Sequence, residues 1–312
     1  MLHATIGVDV SKNWLDAHRV SDGVGRRFPN SASGHRALIA WIDETPFERL
    51  AFEPTGAHHS TLERALAKAG IAAVKVNPLQ ARRFAEAIGQ RAKTDPVDAL
   101  MLARMVALLD PELRQPTSKA LHELRELHGA RHALVKDRTA AQNRQKNLTL
   151  GLLQRQTAQR LKQIDAQIEA VDREILRRIA QDAALARRFA ILCSIPGIGE
   201  TTAFVLLIDM PELGALEPKQ AASLAGLAPL ARQSGTWTGR ACMRAGRARL
   251  RQALFMPALV AARSSPDLAS VYQRLVQAGK PRKLAIVAVM RKLVPLANTL
   301  LRSKRTWTQK LA

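Results

Sequence analysis

The first 110 residues alternate strand and helix patterns in an order that few folds accommodate. Ile6 to Val10 predicts a buried strand, Trp14 to Val20 its hairpin partner after a turn at Ser11-Lys12-Asn13, and Gly25 to Pro29 a short third strand. A helix over His35 to Glu44 follows, then strand Leu50 to Glu53, helix Ser60 to Ala69, strand Ala72 to Val76, and helices Leu79 to Ile88 and Pro96 to Leu109. Three meandering strands followed by two strands with helical crossovers build an open α/β sheet, and such sheets place their ligands beyond the C-terminal strand ends.

Two of these strands each carry a carboxylate near the C-terminal end. Asp9 lies in Thr5-Ile6-Gly7-Val8-Asp9-Val10 and Glu53 in Ala51-Phe52-Glu53-Pro54. A carboxylate in a β-run is costly to bury unless it is hydrogen-bonded or bound to a cation. Asp95 and Asp98 open the next helix three residues apart, and so share a face. Asp95-Pro96-Val97-Asp98 also makes a good helix start, with Asp at the N-cap and Pro at the first helical position. Together the four are hard oxygen donors suited to Mg²⁺ or Mn²⁺, with no Cys/His cluster to favour a softer metal. Two such ions activate an attacking oxygen and stabilise a leaving one at phosphorus. The strand order is that of a ribonuclease H-like sheet, an analogy of fold rather than of function.

Charge indicates the substrate. Formal net charge is +22, and residues 111 to 312 hold 34 Lys+Arg against 14 Asp+Glu. From Leu230 onward there are 17 basic residues and one acid, Asp267. An excess of this size favours a polyanion, nucleic acid first and anionic membrane second. No apolar run suggests a membrane span and the N-terminus lacks a signal-peptide pattern, so a cytoplasmic, nucleoid-associated protein is expected. Cys193 and Cys242 read as reduced, partly buried thiols.

Three domains are expected: 1–110 with the acidic residues, 111–190 as a coiled coil, and 191–312 as an all-helical domain. Leu161, Ile164, Ile168, Val171 and Ile175 keep a heptad spacing. Leu121, Leu124, Leu127, Leu134, Leu148 and Leu152 populate a partner helix, from this chain or a second copy. Ile195-Pro196-Gly197-Ile198-Gly199 matches a helix-hairpin-helix turn, in which backbone amides at Gly197 and Gly199 approach a phosphate. An ordinary Pro-Gly turn explains the same residues. Helices are predicted over Arg247 to Ala262, Leu268 to Ala278 and Leu284 to Leu301. Arg282 and Lys283, just before the last, are expected nucleic-acid contacts. Ser234 falls in a Gly/Pro-bounded loop with Arg232, Arg240, Arg244 and Arg247 nearby, a setting that holds a phosphate beside a hydroxyl. Serine before glycine is also common in plain turns.

The whole chain resembles the DEDD transposases of bacterial insertion sequences, in which a RuvC-like domain is joined through a coiled coil to a serine-bearing domain. The resemblance runs from Ile6 to Ala262. It rests on Gly7-Val8-Asp9-Val10-Ser11-Lys12, Glu53-Pro54-Thr55-Gly56, Lys93-Thr94-Asp95-Pro96-Val97-Asp98-Ala99, Ile195-Pro196-Gly197-Ile198-Gly199, the Gly226 to Gly235 stretch, and Gly246 with Leu250-Arg251. It implies that Asp9, Glu53, Asp95 and Asp98 bind the metal, and that Ser234 forms a covalent phosphoserine link to DNA. It further implies a homo-oligomer, dimer or tetramer, with donor and target DNA as partners and a bridge RNA as guide. Two other classes stay open: a Holliday-junction-type endonuclease using only the acidic tetrad and water, and a non-catalytic nucleic-acid scaffold. An ATPase of the actin and sugar-kinase type shares the strand Asp but needs a glycine after it, which Val10 replaces.

Overall fold

A computed structural model describes residues 4–308, except 55, 57, 91–93, 112–117 and 244 and the side chains of Arg232 and Arg240. The chain divides into two compact units, 1–117 and 118–312.

The first unit carries a five-stranded sheet ordered β3-β2-β1-β4-β5. Its strands are β1 (Thr5–Val10), β2 (Trp14–Arg19), β3 (Gly25–Pro29), β4 (Arg49–Phe52) and β5 (Ala73–Lys75). β1, β2 and β3 pair antiparallel, whereas β4 joins β1 and β5 joins β4 in parallel. Parallel pairing requires crossovers. These are α1 (Ala32–Asp43), before β4, and α2 (His59–Lys68), between β4 and β5. Two further helices, α3 (Pro78–Ala87) and α4 (Asp95–Leu109), close the unit. The predicted element order of this unit is the one observed, with ends shifted by up to three residues.

Alternation along β1 explains the layering, because successive side chains point to opposite faces. Ile6, Val8 and Val10 join Leu38, Trp41, Ile42, Leu62 and Leu66 of α1 and α2 in one core. On the other face Ala51 and Val74 pack with Leu102, Met105 and Val106 of α4.

The second unit begins with two long helices, α5 (Lys119–Gln145) and α6 (Gly151–Gln181). They fold back on each other within the chain: Arg131 pairs with Asp172 and Arg138 with Asp165, so seven residues forward in α5 are matched by seven backward in α6. Of the heptad positions, Ile164, Ile168 and Ile175 are buried. Leu148 and Leu152 lie outside α5, at the turn and the start of α6, where Leu152 is exposed.

At their base Leu124, Ile175 and Ile179 enter one core with the helices that follow. Those are α7 (Ala183–Cys193), α8 (Glu200–Asp209), α9 (Pro218–Leu224), α10 (Ala248–Ala253), α11 (Phe255–Ser264), α12 (Pro266–Gln277) and α13 (Arg282–Ser303). The all-helical expectation needs correction, since β6 (Leu230–Ser234) and β7 (Trp237–Cys242) form an antiparallel hairpin. The single helix predicted over Arg247 to Ala262 is two, separated at Leu254. Pro257 accounts for the break, because its ring clashes with the carbonyl four residues back if the helix runs on. Contrary to expectation, α13 is long and apolar enough to cross a membrane by length and composition. Its apolar residues Ile286, Val289, Met290, Leu293 and Val294 are instead buried in the core. Cys193 and Cys242 are free and half-buried.

Candidate active sites in the two units

Asp9 owes its position to what lies beneath it. On the face of β1 opposite the α1–α2 core, Thr5 Oγ1 donates a hydrogen bond to the Ala103 carbonyl of α4 at 3.0 Å. At Gly7 any Cβ would overlap the Ala99 carbonyl and fall 2.6 Å from the Ala103 nitrogen. Glycine therefore lets α4 lie directly on β1, and the first turn of α4 brings Asp95 and Asp98. Glu53 arrives through the sheet: Gly7 pairs with Ala51 and Val8 with Phe52 in parallel register. Glu53 follows the last residue of β4, and Asp9 follows Val8, the β1 partner of that residue.

Electrostatics agree with this placement. Burial pushes Asp9 up to about 6, aided in descending order by the carboxylates of Asp98, Asp95, Glu53 and Asp16. All three predicted tetrad partners thus act on Asp9. Among the described residues no three carboxylates are gathered into a coordination shell. The donor set nonetheless fits a divalent ion in kind, being all oxygen and carrying a crowded, proton-retaining Asp9 that a cation would relieve. The cap expectation is corrected by one residue. Thr94 is the N-cap, its carbonyl accepting from the Asp98 amide at 2.9 Å, and Asp95 is the first helical residue. Asp95 therefore does not cap α4, although both carboxylates suit its N-terminal dipole.

Sequence reasoning missed a fifth carboxylate. Asp16 stands opposite Asp9 in the β1–β2 pair, and its side chain is 7% exposed. Arg27, opposite Asp16 in the β2–β3 pair, donates Nε to Oδ1 at 2.8 Å and Nη2 to Oδ2 at 3.1 Å. The same Nη2 lies 3.4 Å from Asp95 Oδ2, and the guanidinium sits 5.8 Å from the Trp14 ring centre. Arg27 thus links a buried carboxylate of the sheet to the first residue of α4. The available signal was an Asp and an Arg at facing positions of two predicted strands, which needs the register before it can be used.

Ser234 is the last residue of β6 and is exposed, on a strand rather than in the predicted loop. It pairs with Trp237 across the two-residue turn Gly235-Thr236. Gly235 takes φ +58°, and glycine at the first turn position is what such a hairpin demands. The hairpin is tight at its root. A Cβ on Gly226 would come 2.5 Å from the Ala245 carbonyl, and one on Gly246 would overlap the Gly226 nitrogen. Arg251 Nη1 donates to the Gly226 carbonyl at 3.1 Å and to that of Ala245 at 3.2 Å, tying the two chain crossings together.

The basic residues expected around Ser234 divide. Arg247, expected on the nucleic-acid face, is engaged elsewhere: it makes a two-pronged pair with Glu212 at 2.7 and 2.9 Å and donates to the Asp209 carbonyl at 2.6 Å. Its role is to hold the segment between α8 and α9 against α10. Arg244 and the side chains of Arg232 and Arg240 lie outside the described residues, as do Thr55 and Lys93. Arg282 and Lys283 are exposed at the start of α13. Gly197 has φ +87°, and a Cβ there would overlap the Pro257 carbonyl and fall 3.0 Å from the Ala261 nitrogen, so packing on α11 alone accounts for it. Gly199 is the N-cap of α8, and a side chain there would meet nothing.

Residues 6–154 match the DEDD transposase family of IS110, and residues 189–273 match the family described as Transposase IS116/IS110/IS902. Two relatives span nearly everything: the pilin gene-inverting proteins of Moraxella bovis and Moraxella lacunata, each 32% identical over 322 aligned positions, covering 98% of this chain and 98% of theirs. The chain belongs to the IS110 family of transposases. A 43.6 kDa protein of insertion element IS110 from Streptomyces coelicolor is 34% identical over 115 residues, 36% of this transposase and 28% of that protein. Membership makes this transposase a DNA recombinase and implies divalent-metal chemistry. The first matched stretch covers the sheet and all four predicted carboxylates, and the second covers the Ser234 hairpin.

Proposed function

We propose that the protein cuts and rejoins DNA strands with a metal-binding tetrad, Asp9, Glu53, Asp95 and Asp98, and a serine nucleophile, Ser234. The observation that carries it is the crowding of Asp9 by the other three carboxylates at the C-terminal end of two parallel strands. Mg²⁺, or Mn²⁺ in its place, held by those carboxylates would lower the pKa of a bound oxygen and neutralise charge developing at phosphorus. Ser234 Oγ attacks the phosphodiester phosphorus and loses its proton, and a deoxyribose oxygen leaves and takes one up. The phosphoserine ester so formed conserves the bond energy for rejoining, the advantage of splitting a transfer into two steps. Exposure of Ser234 at the tip of an anchored hairpin supports this role.

In the same assignment residues 1–110 bind the metal, 111–190 form a coiled coil and 191–312 present the serine. The seven-residue step between ion pairs of α5 and α6 supports the middle part. A bridge RNA guides the choice of donor and target DNA, and the α8 N-terminus at Gly199 contacts a phosphate, as in a helix-hairpin-helix. The working form is a homo-oligomer in which tetrad and serine of different protomers complete one site. The names of the Moraxella relatives point to inversion of a DNA segment as one outcome.

The test is a denaturing gel of protein quenched on a cleaved, labelled substrate. Wild type should carry DNA into the protein band, and both Ser234→Ala and Asp9→Asn should abolish the adduct while leaving DNA affinity nearly intact. Cleavage by Ser234→Ala at the wild-type rate, with no covalent protein, would assign the hydrolytic endonuclease class instead.

A further inference from the structure

The hairpin that carries Ser234 also carries a large apolar side chain with no place in the core. Trp237 is 59% exposed, more than Trp14 at 45%. It pairs directly with Ser234, so both side chains rise from the same face of the hairpin. Two residues further along the same face stands Gly239. A Cβ there would overlap indole Cη2 and fall 2.8 Å from Cζ3, so the indole lies across the glycine and is held against the strand. Glycine in a strand interior weakens it, and commonly marks a place where something approaches the backbone closely. Here that something is the tryptophan ring. The result is a flat aromatic surface, steadied from below and open to solvent above, one cross-strand step from the hydroxyl.

Tryptophan exposed in this way offers a broad aromatic face for a partner to cover. The partner of a DNA recombinase is DNA, and the chain from Leu230 onward carries 17 basic residues against one acid. A single-stranded segment offers the face of a base, which any aromatic ring can stack upon irrespective of sequence. A duplex offers none. We propose that Trp237 is a stacking platform for an unpaired nucleobase next to the phosphate that Ser234 engages. Trp237 is thus a positioning residue: stacking fixes the sugar on one side of the phosphate and aligns phosphorus with Oγ. The proposal rests on the assignment of Ser234 as nucleophile for its consequence in catalysis, but not for binding.

The experiment measures affinity of the full chain for a fluorescein-labelled single-stranded oligonucleotide across a series of salt concentrations. Trp237→Ala should weaken binding roughly tenfold. Trp237→Phe should restore most of it, and the salt slope should stay that of wild type because no phosphate contact is lost. With wild-type protein, scanning one abasic position along the oligonucleotide should reproduce the loss at one place, and Trp237→Ala should be insensitive there. Unchanged affinity of Trp237→Ala, failure of phenylalanine to rescue, or an abasic scan without a sensitive position would overturn the platform. Ser234→Ala should bind like wild type throughout. If Ser234→Ala keeps full cleavage while Trp237→Ala loses affinity, the nucleophile assignment fails and the platform stands.

Discussion

Asp9 holds its proton to higher pH in the folded protein than in the unfolded chain, about 6 against an ordinary value near 4. Between those values the native state binds more protons. Stability therefore falls as pH rises through that window, and the full cost persists above it. Asp9→Asn removes the charge, so in the presence of chelator the variant should be more stable than wild type at pH 7. The gain should be about 1 kcal/mol, kept small because Asp9 is partly open to water, and should vanish below about pH 4. Urea unfolding at the two pH values checks this, and equal midpoints at pH 7 would remove the crowding on which the tetrad rests. Arg27 gives a second test. Asp16 is nearly sealed from solvent, so Arg27→Met leaves a buried carboxylate unpaired and should cost about 1–3 kcal/mol. Asp16→Asn combined with Arg27→Met should recover most of that loss. A double variant no better than Arg27→Met alone would mean that the pair is not coupled.

Elements explain what the chain reveals before folding and what it hides. β1 was legible because Ile6, Val8 and Val10 alternate with Gly7 and Asp9, and a buried face imposes that period. The contact of α4 with β1 was not, since Gly7 reads as a weak strand residue until the Ala99 carbonyl is found above it. Gly7→Ala should therefore cost about 3 kcal/mol, at the upper end for overpacking because the clash is with backbone. It should also abolish cleavage by lifting Asp95 and Asp98 from Asp9. A Tm within a degree of wild type would show that α4 can shift freely. The β6–β7 hairpin escaped detection for another reason. Both its faces are largely exposed, so nothing forces apolar and polar residues to alternate, and only Ser234-Gly235 marks the turn. From its neighbours alone Ser234 was no more than a serine before a turn glycine; its candidacy came from the family resemblance, and the strand that presents it was hidden. Arg247 misled because a cation near the site was counted as available, whereas Glu212 and the Asp209 carbonyl occupy it.

At the scale of the molecule, a minority of the cations of the second unit are matched by carboxylates among the described residues. Arg131 pairs with Asp172, Arg138 with Asp165, Arg178 with Glu123 and Glu174, and Arg302 with Glu217. These pairs join α5 to α6, run along α6 or fasten the end of α13, and they add little to the field outside the protein. The α13 residues Arg282, Lys283, Arg291 and Lys292 differ, because they are exposed on a helix whose other side is core. Each cation that neutralises a phosphate releases condensed counterion and steepens the dependence of affinity on salt by about 0.9 in the log–log slope. Replacing all four by glutamine should flatten the slope for duplex DNA by about 2 to 4, depending on how many reach the backbone. Removing Arg138, already paired, should change it by far less. The core under α13 is apolar and untouched by these changes, so thermal stability should hold within about 0.5 kcal/mol. A slope unaltered by the fourfold replacement, with affinity also unaltered, would place the nucleic acid on another face of the second unit.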